Sequence, residues 1–368
     1  MARIVSLFIL LLVASAEGFD LRQIEQRAGS WARVEDFLDW VKQESPESLS
    51  HFTLIRNSQS QQQSSPDYPR ALVFGRAARL VFTFNGHASH RGYRTVELFQ
   101  FDPTSATYDF RQIDFSGKSG VLSVSNPTSC QGCHSARPRP IWDAYDRWPT
   151  AYGAFDDSII NFGSLISSGS NSEYFVAQTQ QFFEFAGFQS IAGDHSRYGF
   201  LDFPEGSPVS PYSIREKGES HRLRPNGRLT ALLVRQQAQR LASLIHGHRQ
   251  SARLEAPLLA VLIGCPGAKT GVWAAEPLLH QLGITKDDWN LSLAPSNWGY
   301  PEGSRDLSDF VASALYEKLR AIRPGLPPFR PIGEVGYVQK LFFDVPDVDY
   351  EDGARAIELP SACEALRS

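Results

Sequence analysis

Five short runs between residues 51 and 115 constrain the fold of this chain most. They are "HFTLI" (51–55), "ALVFG" (71–75), "ARLVFTF" (78–84), "YRTVELFQF" (93–101) and "TYDFRQIDF" (107–115). Each is rich in β-branched and aromatic residues with partial alternation, the pattern of a strand that buries one face. Turn residues lie between them, among them Asn85-Gly86 and Asp102-Pro103. The expectation is an antiparallel meander of four or five strands, closed by "SGKSG" (116–120). The polar stretch "SQSQQQSSPDYP" (58–69) reads as a mobile loop.

Flanking segments follow a different period. "SWARVEDFLDWVKQE" (30–44) predicts an amphipathic helix capped by Ser30, with Trp31, Val34, Phe37, Leu38 and Val41 on one stripe and Pro46 beyond its end. Downstream, residues 155–166, 172–187, 226–248, 254–265 and 307–322 read as helices between Pro- and Gly-rich loops. The fold class is therefore α+β: an N-terminal antiparallel β meander followed by a mostly helical region. We divide the 368 residues into an export signal (1–16), a helix plus β-rich part (17–120) and a mostly helical part (121–368), compatible with one integrated domain.

The N-terminus predicts export. Met1-Ala2-Arg3 supplies a positive start, Ile4 to Val13 is apolar apart from Ser6, and Ala14-Ser15-Ala16 offers a small-x-small cleavage site. That run is shorter than the roughly 20 residues a bilayer span needs. The expected mature protein begins after Ala16 and is periplasmic or secreted, with no membrane span. A net charge of −4 gives no reason to expect nucleic acid as a partner. In an oxidising compartment cysteines are paired or occupied, which makes Cys265 and Cys363 a natural disulfide.

The other two cysteines lie in "PTSCQGCHSARPRPIWDAYDRWPTAYG" (127–153), at the junction of the two parts. Cys130-Gln131-Gly132-Cys133-His134 puts two thiols and an imidazole on one helical turn. This is the spacing needed to bond both vinyl groups of a haem and ligate its iron. The composition gives about 0.001 chance occurrences of the pattern. Three other chemistries compete. A structural zinc site would need a second ligand pair, for which His87 and His90 in "GHASH" are the candidates. A redox dithiol would open a long helix, and Pro138 and Pro140 interrupt one here. A disulfide within the motif is the third. No P-loop, dinucleotide fingerprint, HExxH or GxSxG motif occurs.

Residues 130–134 resemble the attachment site of c-type cytochromes. The longer run is similar to a group of secreted bacterial proteins with a single CxxCH, through Asn126, Pro127, Cys130, Cys133, His134, Arg139, Pro140, Ile141, Trp142, Tyr145, Trp148, Pro149, Tyr152 and Gly153. The helix "RPNGRLTALLVRQQAQRLA" also resembles that group, so the likeness covers roughly half the chain. It implies one covalent haem c without supplying a reaction. Cys130 and Cys133 would hold the porphyrin and His134 the iron. Arg137 and Arg139 are candidates for the propionates, and Trp142, Tyr145 and Trp148 for the wall of the haem. Met1 is the one methionine, so once the signal is removed no Met remains as sixth ligand. His90 and His87 are the first candidates for that position, followed by His195, His246 and His248. The expected function is electron transfer with a redox partner protein or a small-molecule oxidant or reductant. Two alternatives stand beside it. One is a peroxidase-like haem enzyme or sensor with an open sixth site; the other is a secreted binding protein with a structural metal or disulfide at the motif.

Overall fold

The computed structural model describes residues 19–55, 58, 60–65, 68–75, 77–135, 137–141, 197–201, 225–267, 272–285, 288, 302–327 and 359–367. The expected export signal and the expected helices 155–166 and 172–187 lie outside them. Six strands form one antiparallel sheet in sequence order: β1 (Phe52–Ile55), β2 (Arg70–Val73), β3 (Leu80–Phe84), β4 (Thr95–Asp102), β5 (Thr107–Asp114) and β6 (Val121–Leu122). The meander is the expected one with a short edge strand added. β6 pairs through Ile113–Leu122 and Asp114–Val121 and is too brief to show a period.

Register divides the sheet into two faces. Pairing Phe82 with Leu98 and Val96 with Ile113 places these side chains together with Phe52, Leu54, Ala71, Val73 and Phe84 on one face. Against it pack α1 (Leu21–Arg27) and α2 (Val34–Glu44). Phe37 is fully buried there, meeting the rings of Trp31, Trp40 and Phe82 at 5.2, 6.1 and 5.3 Å. Burying one such ring is worth about 1.5–3 kcal/mol.

The first long helix starts three residues later than its apolar stripe predicts. The Asp36 carboxylate reaches back to accept the Ala32 and Arg33 amides, and the Ser30 hydroxyl is spent on the Arg27 carbonyl. α1, which the sequence reading missed, is closed by a reciprocal box between Asp20 and Gln23.

The second face takes the opposite parity: Ile55, Leu72, Phe74, Val81, Phe99, Phe101, Tyr108 and Phe110. Its first four residues pack into the helical part, built from α4 (Pro225–His246), α5 (Ser251–Leu262), α6 (Val272–Gln281), α7 (Glu302–Ile322) and α8 (Leu359–Arg367). Pro277 inside α6 and the shortness of α8 hid both from a periodicity reading. A disulfide joins Cys265, just past α5, to Cys363 in α8. Among the described residues no helix is long and apolar enough to cross a membrane.

The segment expected as a mobile loop is anchored instead. Gln62 is fully buried, donating to the Thr83 and Thr95 carbonyls and accepting from Arg70. Glycine at position 86 leaves room for the Tyr198 ring, into which an added Cβ would run. That ring belongs to residues 197–201, which return to the first face after the motif.

Candidate functional site

The motif occupies α3 (Thr128–His134), directly after the sheet. Asn126 docks it. With φ at +49°, Asn126 turns the chain off the sheet edge, accepts the Phe110 amide on its side chain and donates its own amide to the Phe110 carbonyl, both at 2.9 Å. Gln131 then donates to the Asn126 carbonyl at 2.8 Å. The helix ends at Ser135, whose φ of +68° is a left-handed stop.

Within this turn Cys130, Cys133 and His134 stand at i, i+3 and i+4, one face of the helix. Cys130 is half-buried against the cluster of Phe101, Ala106, Tyr108 and Phe110; Cys133 is exposed. Burial pushes the Cys130 thiol up, with the Glu97 carboxylate adding to it. A redox-active dithiol needs the opposite shift, so this setting does not activate Cys130 as a thiolate nucleophile.

His134 lies against Phe110, ring centroids 4.2 Å apart and planes 30° from parallel. Its Nδ1 is 2.8 Å from the Arg139 carbonyl oxygen, which makes Nδ1 the donor and leaves Nε2 as the basic nitrogen. Burial holds the imidazole below the usual histidine value, despite that hydrogen bond, and the charges of Arg70 and Arg139 act in the same direction. A neutral ring, oriented through Nδ1 and presenting Nε2, is the form that binds a metal. Two thiols and such an imidazole on one turn fit the donor set of a covalent haem.

Charged side chains surround the turn. Arg70 and Glu97, 12% and 20% exposed, form a 2.7 Å ion pair on the second face, with Thr83 bonded to the same guanidinium. Arg139 is buried. Arg137 is half-exposed and pairs with Asp288 at 2.8 Å, and Asp288 also holds the buried Arg240 of α4 at 3.2 Å. Both propionate candidates thus lie at the motif, and Arg137 already has a carboxylate partner.

His87 and His90 sit in the β3–β4 loop, with ring centroids 5.3 Å apart and Tyr68 against both. His87 Nδ1 is bonded to the Ser89 hydroxyl, while the buried His90 Nδ1 has no partner. This loop is tied to α3 through Gln61, which donates to the Ser129 carbonyl and accepts from Arg91. Among the described residues no three His, Cys, Asp or Glu side chains converge to hold a metal ion, so the loop histidines do not form a ready ligand cluster with the cysteines. His246 is engaged with Glu255 at 3.1 Å. Trp142, Tyr145, Trp148 and His195 lie outside the described residues.

Sequence reasoning missed Phe110, Arg70, Glu97, Arg240 and Asp288, and named Asn126 in the motif without its docking role. Phe110 and Tyr108 were legible as alternate positions of one strand, but which face would meet the motif is set by strand pairing. The Arg240–Asp288 contact spans 48 residues and leaves no local signal. No protein-family model matches the chain, nor does any curated protein or solved structure.

Proposed function

We propose that this protein is an exported c-type cytochrome that holds one covalent haem and transfers electrons. The observation that carries the reading is the motif turn itself. Cys130, Cys133 and His134 share one helical face, and the Arg139 carbonyl engages His134 Nδ1, which leaves Nε2 as the nitrogen open to a metal. Cys130 and Cys133 would bond the porphyrin vinyl groups, and His134 would ligate the iron. A bound haem would supply one-electron chemistry at a potential set by its axial ligands and by the polarity around it. The chain's own residues do the rest. Phe110 restricts the rotation of His134, and the apolar cluster around Cys130 keeps water from that side. Arg70 and Arg139 place positive charge near the imidazole, which favours the reduced state electrostatically. Arg139 and Arg137 are the candidate propionate partners, Arg137 in competition with Asp288.

Export belongs to the same proposal, because the n-region, apolar run and Ala14-Ser15-Ala16 site read as a secretory signal that leads to the periplasm or the medium. The partner would be a redox protein or a small-molecule oxidant or reductant.

A second reading, a haem enzyme or sensor with an open sixth position, is favoured by one specific observation: Met1 is the only methionine. Production with haem-c maturation, denaturation and a pyridine haemochrome spectrum test the main proposal. Covalent haem is the expected result. Its absence, with a control cytochrome maturing normally, overturns it. Rapid carbon monoxide uptake by the reduced protein would select the open-site reading over a six-coordinate carrier.

A further inference from the structure

The imidazole of His134 is oriented from outside its own helix. The bonds that dock α3, from Asn126 and Gln131, hold its N-terminal end to the sheet, and the helix stops at Ser135. Phe110 lies against the face of the ring, a contact that a half-turn of the ring leaves unchanged. The choice between the two ring orientations is made by the 2.8 Å hydrogen bond from Nδ1 to the Arg139 carbonyl, five residues on. The Arg139 amide returns a bond to the His134 carbonyl at 3.3 Å, so residues 134–139 close into a loop.

That loop is gripped by the helical part. It carries Arg137-Pro138-Arg139-Pro140. Each proline fixes its own φ and biases the residue before it toward extended backbone, so the run is stiff. The Arg137 and Arg139 carbonyls sit two residues apart on it, about 7 Å of extended chain. Arg240 of α4 donates Nη2 to the Arg137 carbonyl at 3.1 Å and shares the same nitrogen with Asp288 at 3.2 Å. Asp288 takes the Arg137 side chain on its other oxygen at 2.8 Å. Main chain and side chain of Arg137 are thus held by one ion-paired unit. The unit is itself fixed. The Arg240 and Asp288 side chains are each 5% exposed, and the Asp288 carboxylate also accepts the Thr285 amide and hydroxyl. Gln237, about one turn before Arg240, donates to the Asp288 carbonyl at 2.7 Å.

We propose that Arg240 and Asp288 are positioning residues for His134, holding its ring through the stiff Arg137–Pro140 run so that Nε2 is kept as the ligating nitrogen. The role of Nε2 rests on the cytochrome reading; the hold on the ring is measurable without haem.

Two measurements on the full chain test it. In the first, protein produced without haem maturation and with isotope-labelled histidine gives the His134 tautomer from its ring-nitrogen shifts, assigned against His134→Gln. The parent is expected to carry the proton on Nδ1. Arg240→Ala and Asp288→Asn should each raise the Nε2-protonated fraction about fivefold, the effect of losing one hydrogen bond of ordinary strength. Arg240→Lys keeps a cation and a donor for Asp288 and the Arg137 carbonyl, and should recover most of the loss. Phe37→Leu loosens the opposite face of the sheet and should leave the tautomer as it is in the parent.

The second measurement is the reduction potential of the matured protein. Loss of the Nδ1 bond weakens donation by His134, so both variants should raise the potential. As bare charges, removal of Arg240 and of Asp288 would move it in opposite directions. A tautomer as fixed in folded Arg240→Ala as in the parent, an equal change in Phe37→Leu, or potentials that move oppositely overturns the proposal. Absence of haem after maturation contradicts the cytochrome reading alone, and the tautomers then decide this one.

Discussion

The two faces of the sheet are built to different rules. The first is a dry aromatic layer in which Phe37, Trp31, Trp40 and Phe82 pack edge to face and tilted, over strands with apolar side chains. The second mixes apolar contacts with the partly buried Arg70–Glu97 pair, the Gln62 network and the docked motif turn. Stability is cheap where neighbouring side chains are apolar, and the polar groups of the first face, Gln100 and Arg111, sit at its end and bond to α1. On the other, each polar group has to be matched, and a single lost partner leaves a charge in a poor solvent. The difference separates two roles: the first face seats α1 and α2, and the second joins the helical part and docks the motif turn.

Substitutions break this comparison in order of size. Phe37→Ala, in the dry face, is expected to cost about 4 kcal/mol, read by urea denaturation, because its neighbours cannot close the gap. The visible spectrum of matured protein that remains folded should not change. On the second face, Glu97→Ala leaves the partly buried Arg70 without its carboxylate and should cost about 2 kcal/mol. Unlike Phe37→Ala it also removes a negative charge acting on Cys130, so the spectrum or potential of the matured protein should move with it.

A smaller loss, about 1–2 kcal/mol, is expected for Asn126→Ala, which gives up the bond to the Phe110 amide and strains a residue at positive φ. Its main effect should be on the yield of haem attachment, measured against total protein, since the turn loses its tether to β5. Asn126→Gly keeps the backbone conformation and should recover part of the stability.

The smallest effect concerns the helical part behind the second face. Burial holds the Glu255 carboxyl above its ordinary value of 4.5, while His246, Arg323 and Lys318 oppose the shift. The folded chain then binds that proton more tightly than the unfolded one, a contribution present below pH 4.5 and lost as pH rises through the higher folded value. Glu255→Gln removes this dependence, so its stability relative to the parent should increase between pH 4.5 and neutrality in denaturation midpoints.

How much of this was legible in the sequence depended on range. The five strand runs carried their own period and turns, and β1 to β5 match them to within a residue beyond either end of a run, β2 starting at Arg70 and β4 ending at Asp102. β6 was not visible, because two residues cannot alternate. α1 went unseen between the apolar leader and the stronger stripe of α2. The loop at 58–65 looked mobile because glutamine and serine are polar, yet Gln62 is buried by what it meets across β3 and β4. At the site, the fixed spacing of "CQGCH" was the local signal behind the haem proposal. Its setting did not show, since Phe110 reaches His134 only through strand register and Asn126. Asp288 reaches Arg137 and Arg240 only through the packing of the helices. Local chemistry is written locally; the groups that tune it are placed by the fold.

Denaturing mass spectrometry of the matured protein tests the central claim most directly. The account predicts a chain heavier by one haem, with the added mass confined to the peptide carrying Cys130 and Cys133 and lost when both are replaced by alanine. A chain of unmodified mass, from cells that mature a control cytochrome, would contradict it.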